Sequence, residues 1–258
     1  MIKIQGKTKF QDKTIFDPGY NASDADAAAY IAAVEAADGS TLENGVREAI
    51  DTFVLGCKSD SIWSDIKAAC ILAGAKTLNG ALVPLVGTAP TNSNFVSADY
   101  NRETGLVGDG STKRLDTNRY IQDDPLDDMH MAVWATEISG TYPLAVAGNN
   151  TQLIDHRTRN RNSTLHATTH FGAAKIDALW GASRNSSTGF DVRQSSNNYS
   201  YTQTSALQTA NIPFYAFSNG QTSYFGGRLT FYSIGESLDL SLLDSRVSTL
   251  MTDIAAAI

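Results

Sequence analysis

The sequence predicts a mainly β protein with α: an N-terminal short-helix region, then an antiparallel β-sandwich, then a C-terminal helix. Three observations carry this. The 258-residue chain changes style near residue 90, from Ala-rich segments with helical apolar spacing to short runs rich in Ser, Thr, Asn and Tyr. From about Phe95 those runs follow one another at hairpin spacing without intervening helices, the pattern of a sandwich or barrel. After Leu238 the spacing turns helical again, through Leu240, Leu243, Val247, Leu250, Met251 and Ile254. The expected organisation is an extended arm over 1–20, a helical anchoring region and connector over 21–90, the sandwich over 91–237, and a helix over 238–258 packed on the rest.

Taken in order, residues 1–20 read as an arm. Ile2, Ile4, Phe10 and Ile15 alternate with Lys3, Lys7, Lys9 and Lys13, and Asp17-Pro18-Gly19 is a turn signal. Those four apolar residues have no core of their own and are the expected anchoring contacts. A first helix is expected from Ser23 to Ala37, with Tyr30, Ile31 and Val34 on one face and Asp38-Gly39 as its stop. A second starts at Ser40 or Thr41 and carries the stripe Leu42, Val46, Ile50, Phe53, Val54, Cys57. A third is expected over 59–73, burying Ile62, Trp63, Ile66 and Cys70, with Gly74 at its end. Such helices are marginal alone and form a small bundle or dock on the β domain. Residues 74–93, with Gly74, Gly80, Pro84, Gly87 and Pro90, read as a connector.

The β portion opens with an expected strand at Phe95–Tyr100 and a turn-rich stretch from Gly105 to Gly110. Met129 to Ile138 alternates cleanly. Further candidate strands are 144–147, 152–160, 163–171, 175–180, 189–194, 199–203, 212–218 and 227–234.

Composition narrows the function classes. Apolar residues make up 42%, enough for a packed core. A net charge of −7 argues against non-specific nucleic-acid binding, which needs a positive surface. No stretch approaches the roughly 20 apolar residues that cross a bilayer, and the first residues hold no apolar run of a signal peptide. Cys57 and Cys70 cannot make a disulfide framework; two buried thiols and a single bridge between neighbouring helices both fit.

The candidate chemical groups are sparse. Glycoside hydrolysis needs two carboxyls about 5–9 Å apart across the scissile bond. The β portion offers the cluster Asp123, Asp124, Asp127, Asp128, then Glu137, Asp155, Asp177 and Asp191 singly, and no glutamate from Ser139 to Gly235. The cluster surrounds Pro125 and reads as a hydrated acidic turn or, alternatively, a calcium loop. His166 and His170 stand four apart, but in a strand that spacing is about 13 Å and a third ligand is missing, so no metal site is expected. No G-x-S-x-G elbow and no phosphate loop is present. The run Arg157, Arg159, Arg161 would project from one face of an extended segment. It suits an anionic glycan, a neighbouring subunit or plain solvent. Tyr199 and Tyr201, with Asn197, Asn198 and Gln203, suit a sugar-binding face or simply a strand.

Three segments carry a family resemblance. They are Gly105-Leu106-Val107-Gly108-Asp109-Gly110-Ser111-Thr112-Lys113, the strand His130-Met131-Ala132-Val133-Trp134, and the ending from Gly227 through Arg228, Phe231, Ile234 and Gly235 to Leu238. With them, residues 95–258 resemble a concanavalin A-like, laminin-G-type jelly roll. With the helical start Tyr30-Ile31-Ala32-Ala33-Val34-Glu35, the full order is similar to structural proteins of tailed bacteriophages. The resemblance implies a non-enzymatic virion protein, assembled in the host cytoplasm: a capsid decoration, head fibre or tail-associated adhesin that attaches through its N-terminal region. The implied partners are other virion proteins, sister copies (a trimer, as outward-facing viral jelly rolls assemble) and a host surface glycan. No cofactor, metal, nucleic acid or membrane insertion is expected. The glucanase branch of that family uses closely spaced Glu and Asp on one strand, which this chain lacks, and its calcium-dependent binding branch is not matched either. A carbohydrate-binding receptor-recognition protein is the alternative expectation, and a glycan hydrolase the third.

Overall fold

The computed structural model of the chain describes residues 19–137, 144–146, 177–202, 204–205, 211, 213–220 and 223–258. Helices α1 (Ala25–Asp38) and α2 (Asn44–Ser59) come first. A 3-10 turn at Trp63–Asp65 leads into strand β1 (Ile66–Ile71), and a single helical turn, α3 (Leu78–Ala81), follows. The β series continues with β2 (Thr91–Ser93), β3 (Tyr100–Asn101), β4 (Gly105–Val107), β5 (Arg114–Tyr120), β6 (Met129–Glu137) and β7 (Leu144–Val146). It ends with β8 (Ala178–Arg184), β9 (Gly189–Gln194), β10 (Asn197–Thr202), β11 (Pro213–Ala216) and β12 (Arg228–Gly235), and helix α4 (Leu240–Ala257) closes the fold.

The strands form two antiparallel sheets. The larger, eight-stranded sheet runs β10-β9-β8-β6-β12-β4-β3, with β1 on β12 beside β4. The smaller runs β2-β5-β11-β7. Because side chains alternate along a strand, each face of the large sheet has its own partner layer. Met131, Val133, Trp180, Ala182 and Ile234 pack with Leu115 of β5 and Phe214 of β11, the interior of a sandwich. Ala132, Trp134, Leu179 and Phe231 face the other way, into a core shared with α1, α2 and α4. The protein is therefore mainly β with α, in three layers of helices, large sheet and small sheet.

Local sequence accounts for the helical layer. Asp24 caps α1 by accepting from the backbone amides of Asp26 and Ala27, and Gly39 ends it at φ 67°, in the left-handed region that suits glycine. The stripe Val46, Ile50, Phe53, Val54, Cys57 of α2 is buried as its period predicts, and so is Leu243, Val247, Leu250, Ile254 of α4. Phe53 meets Phe231 edge-on, with centroids 5.8 Å apart. These helices use their apolar faces to cover the large sheet.

Several sequence expectations are corrected. The third helix, expected over 59–73, is the 3-10 turn and β1; both faces of β1 are buried, so its apolar run carries no strand period. Since β1 pairs with β12 from Ile66 to Ile71, the region 21–90 shares sheet and core with the sandwich. The stretch 95–100 is chiefly a 3-10 turn (Ser97–Asp99), and the glycine-rich start at 105 is the strand β4. Cys57 and Cys70 are both buried free thiols, pushed up to about 12 by burial, and Cys70 lies on a strand, not a helix. Segments 152–160 and 163–171 lie outside the described residues. No helix among the described residues is long and apolar enough to cross a membrane.

Candidate functional site

A cleft of about 660 Å³ opens where three segments meet: the α2–β1 connection at Asp60–Asp65, the outer strands β8, β9 and β10, and the turn from β12 into α4. It lies on the helical side of the large sheet. The turn that forms its floor is pinned by backbone groups. Glu236 N donates to Asp65 O at 2.9 Å, Ser237 N to Asp128 Oδ1 at 2.7 Å, and Leu238 N to Ser183 Oγ at 3.1 Å. Asp239 then caps α4 by accepting from Ser241 N at 2.7 Å. Gly181 lets the start of α4 lie this close: a Cβ there would come within 2.9 Å of Leu240 Cδ2 and 3.0 Å of Ala132 Cβ.

Ion pairs fix the walls. Arg246 grips Asp60 with two bonds of 2.7 and 2.9 Å, across the edge of α2 left open by Gly56, where a Cβ would meet the arginine at 2.8 Å. Arg193 pairs with the buried Asp244 at 2.7–2.8 Å and donates to Asn198 Oδ1 at 2.9 Å. Ser200 Oγ donates to Asp191 Oδ1 at 2.6 Å. Arg193 and Arg246 are thus each matched by a carboxylate, while Asp65, Asp191 and Asp239 line the cleft with the amides Asn185 and Asn198.

Charge states follow from these contacts. The hydrogen bond from Arg246 holds Asp60 below the usual carboxylate range, and the bond from the Ser241 hydroxyl does the same for Asp239. Both are acceptors at neutral pH. Burial raises the Asp124 carboxyl against the opposing pull of Arg119, but this group is sealed in a different place.

The expected acidic turn at 123–128 holds the fold together. Asp124 is buried against Arg119, Asp123 accepts from Tyr120 N at 2.7 Å, and Asp128 binds Ser237 N. Among the described residues no three His, Cys, Asp or Glu side chains come together to hold a metal ion. A serine–histidine pair does occur: His130 Nε2 is 2.7 Å from Ser233 Oγ, and Nδ1 is 2.5 Å from Glu236 O. The carbonyl can only accept, so Nδ1 carries the proton and Ser233 donates to Nε2. Both residues are fully buried, and the pair ties β6 to β12.

The predicted binding residues divide. Along β10, Asn198 and Ser200 line the cleft, whereas Tyr199 and Tyr201 belong to the opposite face. There Tyr201 stacks on Phe190 at 5.2 Å, and Arg184 lies over that same ring at 5.3 Å. Of the amides that sequence reading grouped with the tyrosines, Asn198 is separated from them, Asn197 shares their face of β10, and Gln203 lies outside the described residues. Arg157, Arg159, Arg161, His166 and His170 lie outside the described residues, as do Ile2, Ile4, Phe10 and Ile15. Sequence reading missed Asp60, Asp65, Asp239, Arg193 and Arg246. The one local signal was the cap at Asp239, which marks a helix start but not a cleft. No protein-family model matches the chain, and no curated protein matches it.

Proposed function

We propose that the protein is a non-enzymatic structural component of a tailed-bacteriophage virion, assembled in the host cytoplasm. It is held by its N-terminal residues and presents the sandwich as a capsid decoration, head fibre or tail-associated adhesin. The observation that carries this reading is the clamp on residues 20–24. Asp51 of α2, 1% exposed, accepts from Tyr20 Oη, Ser23 N, Ser23 Oγ and Asp24 N at 2.6–2.9 Å. Lys58 pairs with Asp24 and Asp26 at 2.7 Å. The chain thus enters the folded body through a fixed point at Tyr20 to Asp24, where a load on the preceding residues can pass to α2. Those residues carry Ile2, Ile4, Phe10 and Ile15. Because α1, α2 and α4 use their apolar faces on the large sheet, the gripping role falls to the arm and not to the helices. Other virion proteins are its partners, and sister copies assemble around the arms.

A passive role is supported by what the carboxylates do. Asp123, Asp124 and Asp128 hold loops, and Asp60 and Asp239 stay ionised, so none of these offers the exposed protonated acid that glycoside cleavage uses.

The test compares the full chain with a variant lacking residues 2–18, both checked for unchanged circular dichroism. Each is supplied to particles assembled without the native copy, and incorporation is read by sedimentation and electron microscopy. The expected result is particle-bound full chain and free truncated chain. Equal incorporation of the two, or none of either, overturns the reading.

A further inference from the structure

We propose that the cleft between the start of α4 and the outer strands β8–β10 binds a short, uncharged saccharide. This rests on the reading of the sandwich as a displayed module and names what the module recognises. The cleft's roughly 660 Å³ falls within the range of small-molecule sites, about 300–1,000 Å³. Its lining differs from the mostly apolar lining usual for such sites, and the difference points to sugar.

Sugar hydroxyls each donate and accept. The cleft offers both functions side by side: acceptor oxygens on Asp65, Asp191 and Asp239, and donors on Asn185, Asn198, Ser61 and Ser237. Beside these polar groups the half-buried Leu242 gives an apolar edge on which the C–H face of a pyranose can rest, while Ile62, Leu238 and Leu240 are buried in the lining. The pairing of donors with acceptors is what selects the class. An anionic ligand would meet the three carboxylates and find Arg193 and Arg246 already engaged by Asp244 and Asp60. A simple cation would use the carboxylates alone and leave the exposed amide and hydroxyl donors to water, so those groups would add nothing to its binding. The walls are also set beforehand by the Arg246–Asp60 and Arg193–Asp244 pairs, so little ordering is left to do on binding.

The site is distinct from the tyrosine face, since Asn198 and Ser200 point to the opposite side of β10 from Tyr199 and Tyr201.

The test uses the full chain on an array of neutral di- to tetrasaccharides of glucose, galactose, mannose and N-acetylglucosamine, with hits measured by calorimetry at 50 and 500 mM salt. Asp191→Asn and Asn198→Ala change exposed side chains on the cleft, and Glu103→Gln on a remote exposed loop is the control. The expected result is at least one neutral oligosaccharide bound with little salt dependence, weakened about tenfold or more by either cleft variant and unchanged by the control. Spermine serves as the cationic probe. The proposal is overturned by silence across the array, by binding that the cleft variants leave intact, or by spermine binding that collapses with salt in place of sugar binding. The variant lacking residues 2–18 separates the two readings. It should bind the sugar while failing to join particles, and Asp191→Asn should join particles while binding the sugar about tenfold or more weakly.

Discussion

Tyr20 and Asp51 stand 31 positions apart and share a 2.6 Å hydrogen bond that closes the entrance of the chain onto α2. The carboxylate also holds Ser23 and the amide of Asp24, so removing it would strand several donors at once. Asp51→Ala should therefore cost about 3 kcal/mol, more than one ordinary hydrogen bond. Tyr20→Phe, which loses a single bond, should cost about 1 kcal/mol. Urea midpoints of the two variants check the ranking.

The same pair gives an alkaline signature. Burial, then the hydrogen bond to Asp51, raises the Tyr20 phenol from 10.0 to about 12. A group with a raised folded pKa stabilises fully below its unfolded value, and that stabilisation fades as pH rises through the folded one. The stability difference between the natural chain and Tyr20→Phe should thus be constant below pH 10 and shrink between pH 10 and 12. Buried Tyr30 and Tyr232 are also raised, so both proteins weaken in this range and the difference is the quantity to read.

His130 supplies the acid limb. Burial pushes its imidazole from 6.5 down to about 4, and the unfolded chain takes up the proton first. Stability should therefore be fully present above pH 6.5 and fall toward pH 4, by about 3 kcal/mol at roughly 1.4 kcal/mol per pH unit. His130→Gln should be less stable at pH 7, because Ser233 and Glu236 lose their partner, yet should lack this slope. Denaturant titrations at half-unit steps between pH 4 and 7 distinguish the two curves.

Cutting the chain at residue 90 should give an insoluble or unfolded product. Such a fragment loses β1 from its place on β12 and exposes the helix-facing side chains of the large sheet, Trp134, Leu179 and Phe231 among them. Within the full chain, Phe231→Ala should cost about 3–5 kcal/mol, because it empties the contact with Phe53 at the centre of that layer. A soluble 90–258 fragment with a cooperative melt would contradict the shared core.

What was legible in the sequence follows from how many faces each element buries. Helices α1, α2 and α4 and strands β6, β9 and β12 each present a clear period or turn punctuation, and their positions were anticipated within a few residues. Strand β1 was not, since Ile66, Ala68, Ala69, Cys70 and Ile71 are buried on both sides and an unbroken apolar run fits a helix equally well. β5 was missed for the opposite reason: only Leu115 and Thr117 of Arg114–Tyr120 are buried, and the remainder looks like a loop. The cleft was illegible because its walls come from distant segments. Asp60 and Arg246 are separated by 186 positions, and no local pattern joins them.

The last prediction concerns the wall that Arg193 and Asp244 build between β9 and α4. Arg193 bonds Asp244 at 2.7–2.8 Å, and both side chains are largely buried. A buried ion pair owes little net stability to its own attraction, because desolvation opposes it, but either partner left alone is costly. Arg193→Ala should therefore destabilise by about 3 kcal/mol or more, through the carboxylate it strands in the interior. Replacing both partners at once, Arg193→Met with Asp244→Leu, should recover most of that loss, since two apolar side chains can fill similar space without an uncompensated charge. The cleft responds differently from the fold. Asn198 Oδ1 accepts from Arg193, so the double variant should melt near the natural chain yet hold Asn198 less firmly. Thermal melts and amide exchange across β10 read the two effects separately. A double variant as unstable as Arg193→Ala would mean that the pair itself, and not the stranded charge, sets the cost.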